Sequence, residues 1–569
     1  MQALLQDRAS ATSQLYADPH NPHRHLGRGL IHERLGFPDL ASADAYRALS
    51  LLDSVVDPDG CEFHARRRVS EASEPPQEDV DDDEGYVPIT EDEYNTIIGS
   101  VYALLVRSLV RCGCLRDAYE FALRGRALLD ELSLSDERSS VAKNDIEEQI
   151  ALIKQEYYAS KGSDGNEDIS PSALKAQGFA RRILYPWNTH EPDRKAPETL
   201  RLLNERLKDV APKCEVRAVA LPVLHQSPTS NHPDNEKKKP EEEEEISIQL
   251  GLFAKENLHP GETILHESSL LTATNRLHDD LCDACNGPLP SLSEEHTPVP
   301  CDECSDTIFC SRACHDKAQG IYHGAVCGLM ENLESIGKDI PDPRDKADYL
   351  YLLLLGRALA MAATQDVHPL ELPEVKYIWG DFVPEDKESE ATSTSARAGT
   401  GTLPFSFHLS ILQPMRLIEE MQLDPYATLN RYDTWVFNTL YAKFRGTASG
   451  RLSTWDGGPE TCAVHPLWCL ANHSCDPNVR WEWGGEIAFV VRGGEERVVW
   501  KRRNGVDGGG EEVKGKDGMW EGVRRDEEIL NHYCDVGLNV KERREWAAGA
   551  LGGACLCRRC VWEAGEGDA

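Results

Sequence analysis

The densest chemistry in this chain lies in seven residues, Asn472-His473-Ser474-Cys475-Asp476-Pro477-Asn478, which hold an imidazole, a thiol, two carboxamides and a carboxylate. Almost nothing in the stretch is apolar enough to bury. Pro477 forbids a helix through it and pushes Asp476 toward extended geometry, so a tight turn is expected. Such a turn is either a ligand-holding knot or a plain polar turn, and these residues alone weigh the two equally. A hairpin follows: Val479, Trp481 and Trp483 alternate with polar residues, Gly484-Gly485 make a two-residue turn, and Ile487 to Val491 return as an apolar strand.

A second concentration is metal-like. Cys282-x2-Cys285, Cys301-x2-Cys304, Cys310-x3-Cys314 and His323-x3-Cys327 supply eight soft or borderline ligands. Tetrahedral zinc takes four such ligands at about 2.0–2.3 Å, so the count predicts two closed structural sites, with no position left open for catalytic water. So small a segment can bury little core, and metal would supply most of its folding free energy, about 10 kcal/mol or more per ion. His315 is a spare imidazole that competes with His323. Near the C-terminus, Cys555-x-Cys557-x2-Cys560 gives three thiols, one short of a tetrahedron.

The 569 residues predict three or four domains, and their net charge of −36 argues against direct nucleic-acid binding, which needs cationic neutralisation. A basic partner suits that field better. No signal peptide is expected, because Asp7 and Arg8 interrupt a very short apolar start. The most apolar run, Tyr349 to Ala363, contains Arg357 and is too short to span a bilayer. Eighteen cysteines in a chain without secretory signals read as metal ligands and reduced core thiols. The expectation is a soluble intracellular protein in nucleus, cytoplasm or both.

In chain order, residues 1–69 read as a helical N-terminal region and 70–93 as an acidic linker. Residues 94–224 form a helical region. Tyr94, Ile98, Tyr102, Leu105 and Leu109 line one stripe, Cys112-Gly113 breaks it, and Leu115, Ala118, Tyr119, Ala122 and Leu129 line the next. The pair resembles a tetratricopeptide hairpin, which either binds a peptide or braces the rest; the brace is the favoured reading. Arg181 to Asp193, with Trp187 and His190, carries no chemical reading. A charged linker, 225–245, is followed by period-two alternation at Ile246, Ile248 and Leu250 and a turn at Pro260-Gly261. Helices are expected again at Asp345 to Ala363 and Leu412 to Met421, with a flexible insert at 387–401. A charged, glycine-rich insertion is expected at 492–525.

The string NHSCDPN resembles the NHSCxPN signature of SET-domain protein-lysine methyltransferases. Gly251-Leu252-Phe253-Ala254 and Gly261-Glu262 resemble the opening of that domain, and Asp526 to Tyr533 its GEExxxxY motif. The eight-ligand run resembles a MYND zinc finger, and the order of parts resembles the SMYD group over roughly 246–562. The resemblance implies an α+β fold: a SET β-fold split by a MYND finger and a helical insertion, after an N-terminal tetratricopeptide-like region and before a post-SET zinc cluster. Its parts would be 246–281 (SET, first part), 282–327 (MYND), 328–430 (helical insertion), 431–535 (SET core) and 536–569 (post-SET cluster and tail).

It also implies site roles. S-adenosylmethionine would be held by Gly251, Phe253, Asn438, Asn472 and His473, and Tyr533 would stand at the methyl-transfer channel. Three zinc ions would bind, one on Cys282, Cys285, Cys310 and Cys314, one on Cys301, Cys304, His323 and Cys327, and one on Cys475, Cys555, Cys557 and Cys560. In that last set Cys475 supplies the ligand the tail lacks. The implied activity is methylation of a protein lysine, with a basic substrate such as a histone tail, and peptide partners for the finger or the helices. The chain departs from the family at Gln249, at Asp526, and at Gly552-Gly553-Ala554 where a Phe usually stacks on adenine; Leu556 or Trp546 would have to cover the base. Those departures define the alternative, a SET/MYND scaffold that binds partner peptides without turnover.

Overall fold

In the computed structural model, the structure describes residues 1–56, 89–132, 137–162, 165, 167–222, 246–275, 281–292, 297–304, 306–329, 346–380, 382, 401–452, 459–483, 486–498, 500, 522–551 and 554–566. Most of the expected acidic linker, the charged linker 225–245, nearly all of 387–401 and the middle of the glycine-rich insertion lie outside these residues. The described residues form an α+β fold with six small sheets of two or three strands, divided between two compact units. No helix among them is long and apolar enough to cross a membrane.

The first unit comprises Met1–Tyr185 and Phe382–Tyr441. Its helices are α1 (Gln2–Ala17), α2 (Pro22–Arg34), α3 (Pro38–Val56), α4 (Glu91–Cys112), α5 (Leu115–Leu132) and α6 (Glu137–Ser160). Local sequence sets the ends of α4. The Thr90 hydroxyl accepts from the Glu93 amide, three acids fill the first turn, and Gly113 closes the other end at φ +81°. A left-handed C-terminal residue is where glycine costs least. Both predicted stripes are buried. Helix α5 approaches so closely that a β-carbon on Gly125 would lie 2.8 Å from the Tyr102 ring.

Beside this apolar stack lies an ionic knot. Arg28 pairs with Asp44 (Nε–Oδ2 3.0 Å) and with Asp433 (Nη1–Oδ2 2.8 Å), and His32 Nδ1 lies 2.9 Å from Asp44 Oδ2. All four side chains are buried. Burial alone would raise the Asp44 carboxyl, but Arg28 outweighs it and holds Asp44 far below the usual carboxylate range. The unit also contains β1 (Gln177–Arg181), antiparallel to Thr402–Ser406.

The second unit comprises, among the described residues, 186–329, 346–380 and 442–566. It opens with α7 (Pro197–Val210), β2 (Cys214–Pro222) and β3 (Ile246–Ala254); β2 and β3 pair antiparallel from Cys214↔Ala254 to Pro222↔Ile246. Leu203, Leu207, Val216, Leu250 and Leu252 share its core. The expected helical region 94–224 is thereby corrected: β1 and β2 fall inside it, and α7 and β2 belong to the second unit. Their strand partners stand beyond the linkers, where local periodicity gives no view of them. The sheet that holds residues 246–254 therefore begins at β2, ahead of residue 246.

The chain continues through β4 (Thr263–Glu267), β5 (Thr272–Thr274), β6 (Val299–Pro300), β7 (Ile308–Phe309), α8 (Arg312–Ile321) and α9 (Lys346–Thr364). Then come β8 (Ala448–Leu452), β9 (Pro459–Val464), β10 (Asn472–His473), β11 (Val479–Trp483), β12 (Ile487–Val491), β13 (Leu530–Asn531), α10 (Val540–Leu551) and α11 (Arg558–Glu566). Two three-stranded sheets run β11-β12-β4 and β5-β9-β8. The expected β11–β12 pairing forms, from Val479↔Val491 to Trp483↔Ile487, while the Gly484-Gly485 turn lies outside the described residues.

Two further corrections concern loops. The insertion 492–525 is anchored at its described ends: Trp500 Nε1 donates to Asp476 Oδ2 at 3.2 Å, and Val523 is buried and bridged to Leu258. The segment around Trp187 and His190, opaque in sequence, is a docking strip. The His190 ring stacks on His368 with centroids 3.9 Å apart, and Glu191 pairs with the buried Lys443 at 2.8 Å.

Candidate metal centres and the Asn472–Cys475 turn

The twelve predicted metal ligands gather into three groups: Cys282, Cys285, Cys310 and Cys314; Cys301, Cys304, His323 and Cys327; and Cys475, Cys555, Cys557 and Cys560. Within each group the ligand atoms all lie within 4.8 Å of one another. A zinc tetrathiolate with bonds of about 2.3 Å has edges of roughly 3.8 Å. Measured edges are 3.9 Å (Cys285–Cys310), 3.6 Å (Cys310–Cys314), 3.8 Å (Cys301–Cys327) and 3.9 Å (Cys475–Cys555). The donor sets thus fit metal ions and are compatible with zinc.

Surrounding groups also match. Around the first two groups, Gln319 Nε2 donates to Cys301 Sγ at 3.3 Å, and Tyr322 donates to Asp283 at 2.6 Å beneath the Arg357 guanidinium. His315 stays outside the donor set, its edge against Phe309 and its Nδ1 2.8 Å from Asp316, so the competition of imidazoles resolves to His323. Around the third group the cations cluster. Arg543 Nη2 donates to Cys560 Sγ at 3.5 Å, Arg559 Nη1 to the Cys475 carbonyl at 2.9 Å, and Arg544 Nε to the Cys555 carbonyl at 3.2 Å. A divalent ion on four thiolates carries a net charge of −2, and these guanidiniums answer it.

The polar turn is wired from both ends. Strand β10 pairs in parallel with β13, Asn472 against Leu530 and His473 against Asn531. Asn478 works as a substitute peptide: its Nδ2 donates to the Glu528 carbonyl and its Oδ1 accepts from the Leu530 amide, both at 2.7 Å. Asn472 Nδ2 donates to the Leu250 carbonyl at 3.0 Å and to Glu528 Oε1 at 2.7 Å. A β-carbon on Gly251 would meet Glu528 Oε1 at 2.6 Å, and Asn472 Nδ2 and the Phe253 ring at 3.1 Å each. One carboxylate, one carboxamide and one aromatic ring therefore converge on the backbone of residue 251. Burial raises the Glu528 carboxyl above its ordinary value.

On the other side, the Tyr533 amide donates to His473 Nδ1 at 3.0 Å, and the Tyr533 hydroxyl donates to the Ala471 carbonyl at 3.0 Å. Nδ1 is the acceptor, so the neutral His473 ring carries its proton on Nε2, 3.3 Å from Cys475 Sγ. Burial pushes its pKa down to about 4. Tyr533 lines a cavity of about 330 Å³ with Tyr351, Arg445, Trp468, Trp481 and Trp546. His532, also at the cavity wall, stacks on Trp481 with centroids 5.8 Å apart. Trp546 is exposed at 58% and Leu556 at 47%.

The predicted residues do not all meet here. Asn438, on the helix Thr434–Thr447, lies in the first unit, where its Nδ2 is bonded to Asp39 Oδ2 at 2.8 Å and to the Tyr185 hydroxyl at 3.1 Å. Glu528, Asn478 and Cys534 drew no role from sequence. Glu528 and Asn478 sat inside motifs whose neighbours took the attention; Cys534, next to Tyr533, had no spacing partner in the chain. Asp526 adopts φ +65°, a left-handed value at the position where the resembling motif has glycine. Its short polar side chain tolerates that conformation, and Arg217 Nη2 donates to its Oδ1 at 2.6 Å.

No protein-family model matches this chain, and no curated protein matches it.

Proposed function

We propose that the second unit is a protein-lysine N-methyltransferase of the SET type, dependent on S-adenosylmethionine and carrying a MYND-type finger and a post-SET metal cluster. The observation that carries the reading is the double use of one turn. Asn472 reaches β3 at Gly251, while His473 fixes the backbone of Tyr533 and Cys475 joins the thiol tail.

Gly251, Phe253, Asn472 and His473 would hold the cofactor, with Glu528 beside them for its ammonium; Asn438 takes no part. The donor set fits: a ring, a carboxamide and a carboxylate meet at one backbone position. When bound, the cofactor supplies an electrophilic methyl group. Zinc on the three Cys/His groups would be structural, since each group closes a tetrahedron without an open position.

The rest falls to the protein. A free lysine ammonium has a pKa of about 10.4, so deprotonation near pH 7.4 costs about 4 kcal/mol. Aromatic walls at Trp468, Trp481 and Trp546 favour the neutral amine by desolvating the ammonium. The Tyr533 hydroxyl and the Ala471 carbonyl it meets orient that amine, and alignment of the reacting groups is the main contribution open to the enzyme. A basic substrate segment suits a chain of net charge −36.

A second reading has its own observation. Asn472 and Glu528 are already paired at 2.7 Å against Gly251, which favours a scaffold that binds partner peptides and transfers nothing. Calorimetry with S-adenosylmethionine separates the two. Micromolar binding, plus labelling of a lysine in core histones or a proteome extract, is expected, and Tyr533→Phe should keep the binding and lose most transfer. Absence of binding at millimolar cofactor, with the metal sites filled, overturns the enzyme reading.

A further inference from the structure

Cys475 belongs to two donor groups at once. It closes the tail cluster with Cys555, Cys557 and Cys560, and it also lies within 4.8 Å of both His473 and Cys534. A tetrahedral ion seats four ligands, and the tail supplies three of them with Cys475 the fourth. Cys534 is therefore a fifth thiol against a complete four-ligand set, buried at 3% exposure. Of the remaining described cysteines, Cys112, Cys114, Cys214, Cys462 and Cys469 join no such group.

The two sulfurs ride on fixed backbone. They follow β10 and β13, which pair in parallel, and the Ser474 amide donates to the Asn531 carbonyl at 2.7 Å. Closing Sγ atoms from within 4.8 Å to a disulfide length of about 2.05 Å asks for side-chain rotation and little main-chain movement. The cavity of about 330 Å³ is lined by His532 and Tyr533, the two residues before Cys534. It admits a molecule the size of hydrogen peroxide, little larger than a water at about 30 Å³; neither Cys475 nor Cys534, at 0% and 3% exposure, lines it.

We propose that Cys475 and Cys534 form a thiol oxidation site at which a hydroperoxide joins the two sulfurs and releases the metal from the tail cluster. The Cys475 thiolate attacks one peroxide oxygen; the O–O bond breaks, hydroxide leaves, and Cys475 becomes a sulfenic acid, with the ion released only when the disulfide forms. The Cys534 sulfur then attacks the Cys475 sulfur; the S–S bond forms, the S–O bond breaks, and the Cys534 proton leaves with the departing oxygen as water. The thiol pair loses two electrons, the peroxide gains them, and a solvent proton neutralises the hydroxide. Unpinning the tail would free the segment that follows Tyr533. The inference rests on the third cluster holding zinc and not on methyl transfer.

The test uses the full-length, reduced, zinc-loaded chain with substoichiometric hydrogen peroxide and a colorimetric zinc indicator. Reduced protein should carry three zincs and release one on oxidation, with a Cys475–Cys534 disulfide in the peptide map; dithiothreitol and zinc should restore the starting state. Cys534→Ser should bind three zincs and release that ion about tenfold more slowly or less. Equal release from Cys534→Ser, or a disulfide confined to Cys555, Cys557 and Cys560, overturns the proposal. Fewer than three zincs in the reduced chain removes its premise and overturns it too, independently of the cofactor-binding result. The wild-type peptide map decides the matter alone if Cys534→Ser does not fold.

Discussion

The two units hold polar groups in their interiors by different means. In the first, long helices bury continuous apolar stripes, and a knot of Arg28, Asp44, Asp433 and His32 and the Asp39–Asn438–Tyr185 group are among its buried polar groups. In the second, most strands run only two to six residues, and thiols cluster in three places. Apolar burial can carry the first unit, at about 25 cal/mol per Å². Short strands and a thiol-rich segment with little core cannot rely on it, and clusters able to hold an ion stand where that area is missing. The ionic knot balances its charges within the chain, whereas the thiol clusters are donor sets that an added ion could fill.

Metal removal should give the largest effect. Exhaustive chelation under reducing conditions should unfold the finger and the 555–560 tail, at a cost of about 10 kcal/mol or more per site. Amide exchange in α4 to α6 should stay protected. Equal loss of protection in both units would break the contrast.

The corresponding cut in the first unit is Arg28→Met. It leaves Asp44 and Asp433 buried with reduced compensation, and removing one partner from such a knot costs about 3–5 kcal/mol. Chemical denaturation followed by exchange in α2 and α3 measures it, and the metal content should not change. A near-neutral result would mean that Arg47 and His32 already balance the two carboxylates.

A smaller effect sharpens the picture of the second unit. Glu267 is buried, accepts from the Leu467 amide at 3.1 Å and the Trp468 amide at 2.8 Å, and is pushed by burial up to about 7. Its folded pKa exceeds its unfolded value near 4.5, so the neutral acid stabilises the fold. That contribution is complete below about pH 4.5 and lost as the pH rises through about 7, worth on the order of 3 kcal/mol. Glu267→Gln should therefore gain stability relative to the wild type between pH 5.5 and pH 8. A pH-independent difference between the two melting curves would exclude the titration. Least of all should happen at Asp526→Gly, where glycine relieves the backbone while losing the Arg217 contact, and the melting temperature should barely move. A large fall would show that the carboxylate, and not the backbone, holds that turn.

Much of the first unit was legible locally. Tyr94 to Leu109 repeats at helical spacing, Thr90 and Gly113 bound the helix, and these are facts of neighbouring residues. Strands β1 and β2 were not legible, because their partners Thr402–Ser406 and β3 lie far along the chain and short strands carry little periodic signal.

The metal ligands divide along the same line. Spacing alone fixed the number and chemistry of the finger ligands, because pairs two or three residues apart can share an ion only within one turn of chain. It also fixed the tail's shortage, three thiols where a tetrahedron needs four. Tertiary structure decided which side chains meet: Cys475 with the tail, His323 and not His315 in the finger, Glu528 against Asn472 at Gly251, Asn438 with Asp39, and Cys534 as an extra thiol beside Cys475. Those pairings depend on strand partners brought together across long stretches of chain. Loop-closure entropy and core packing select them, and no local pattern records the outcome.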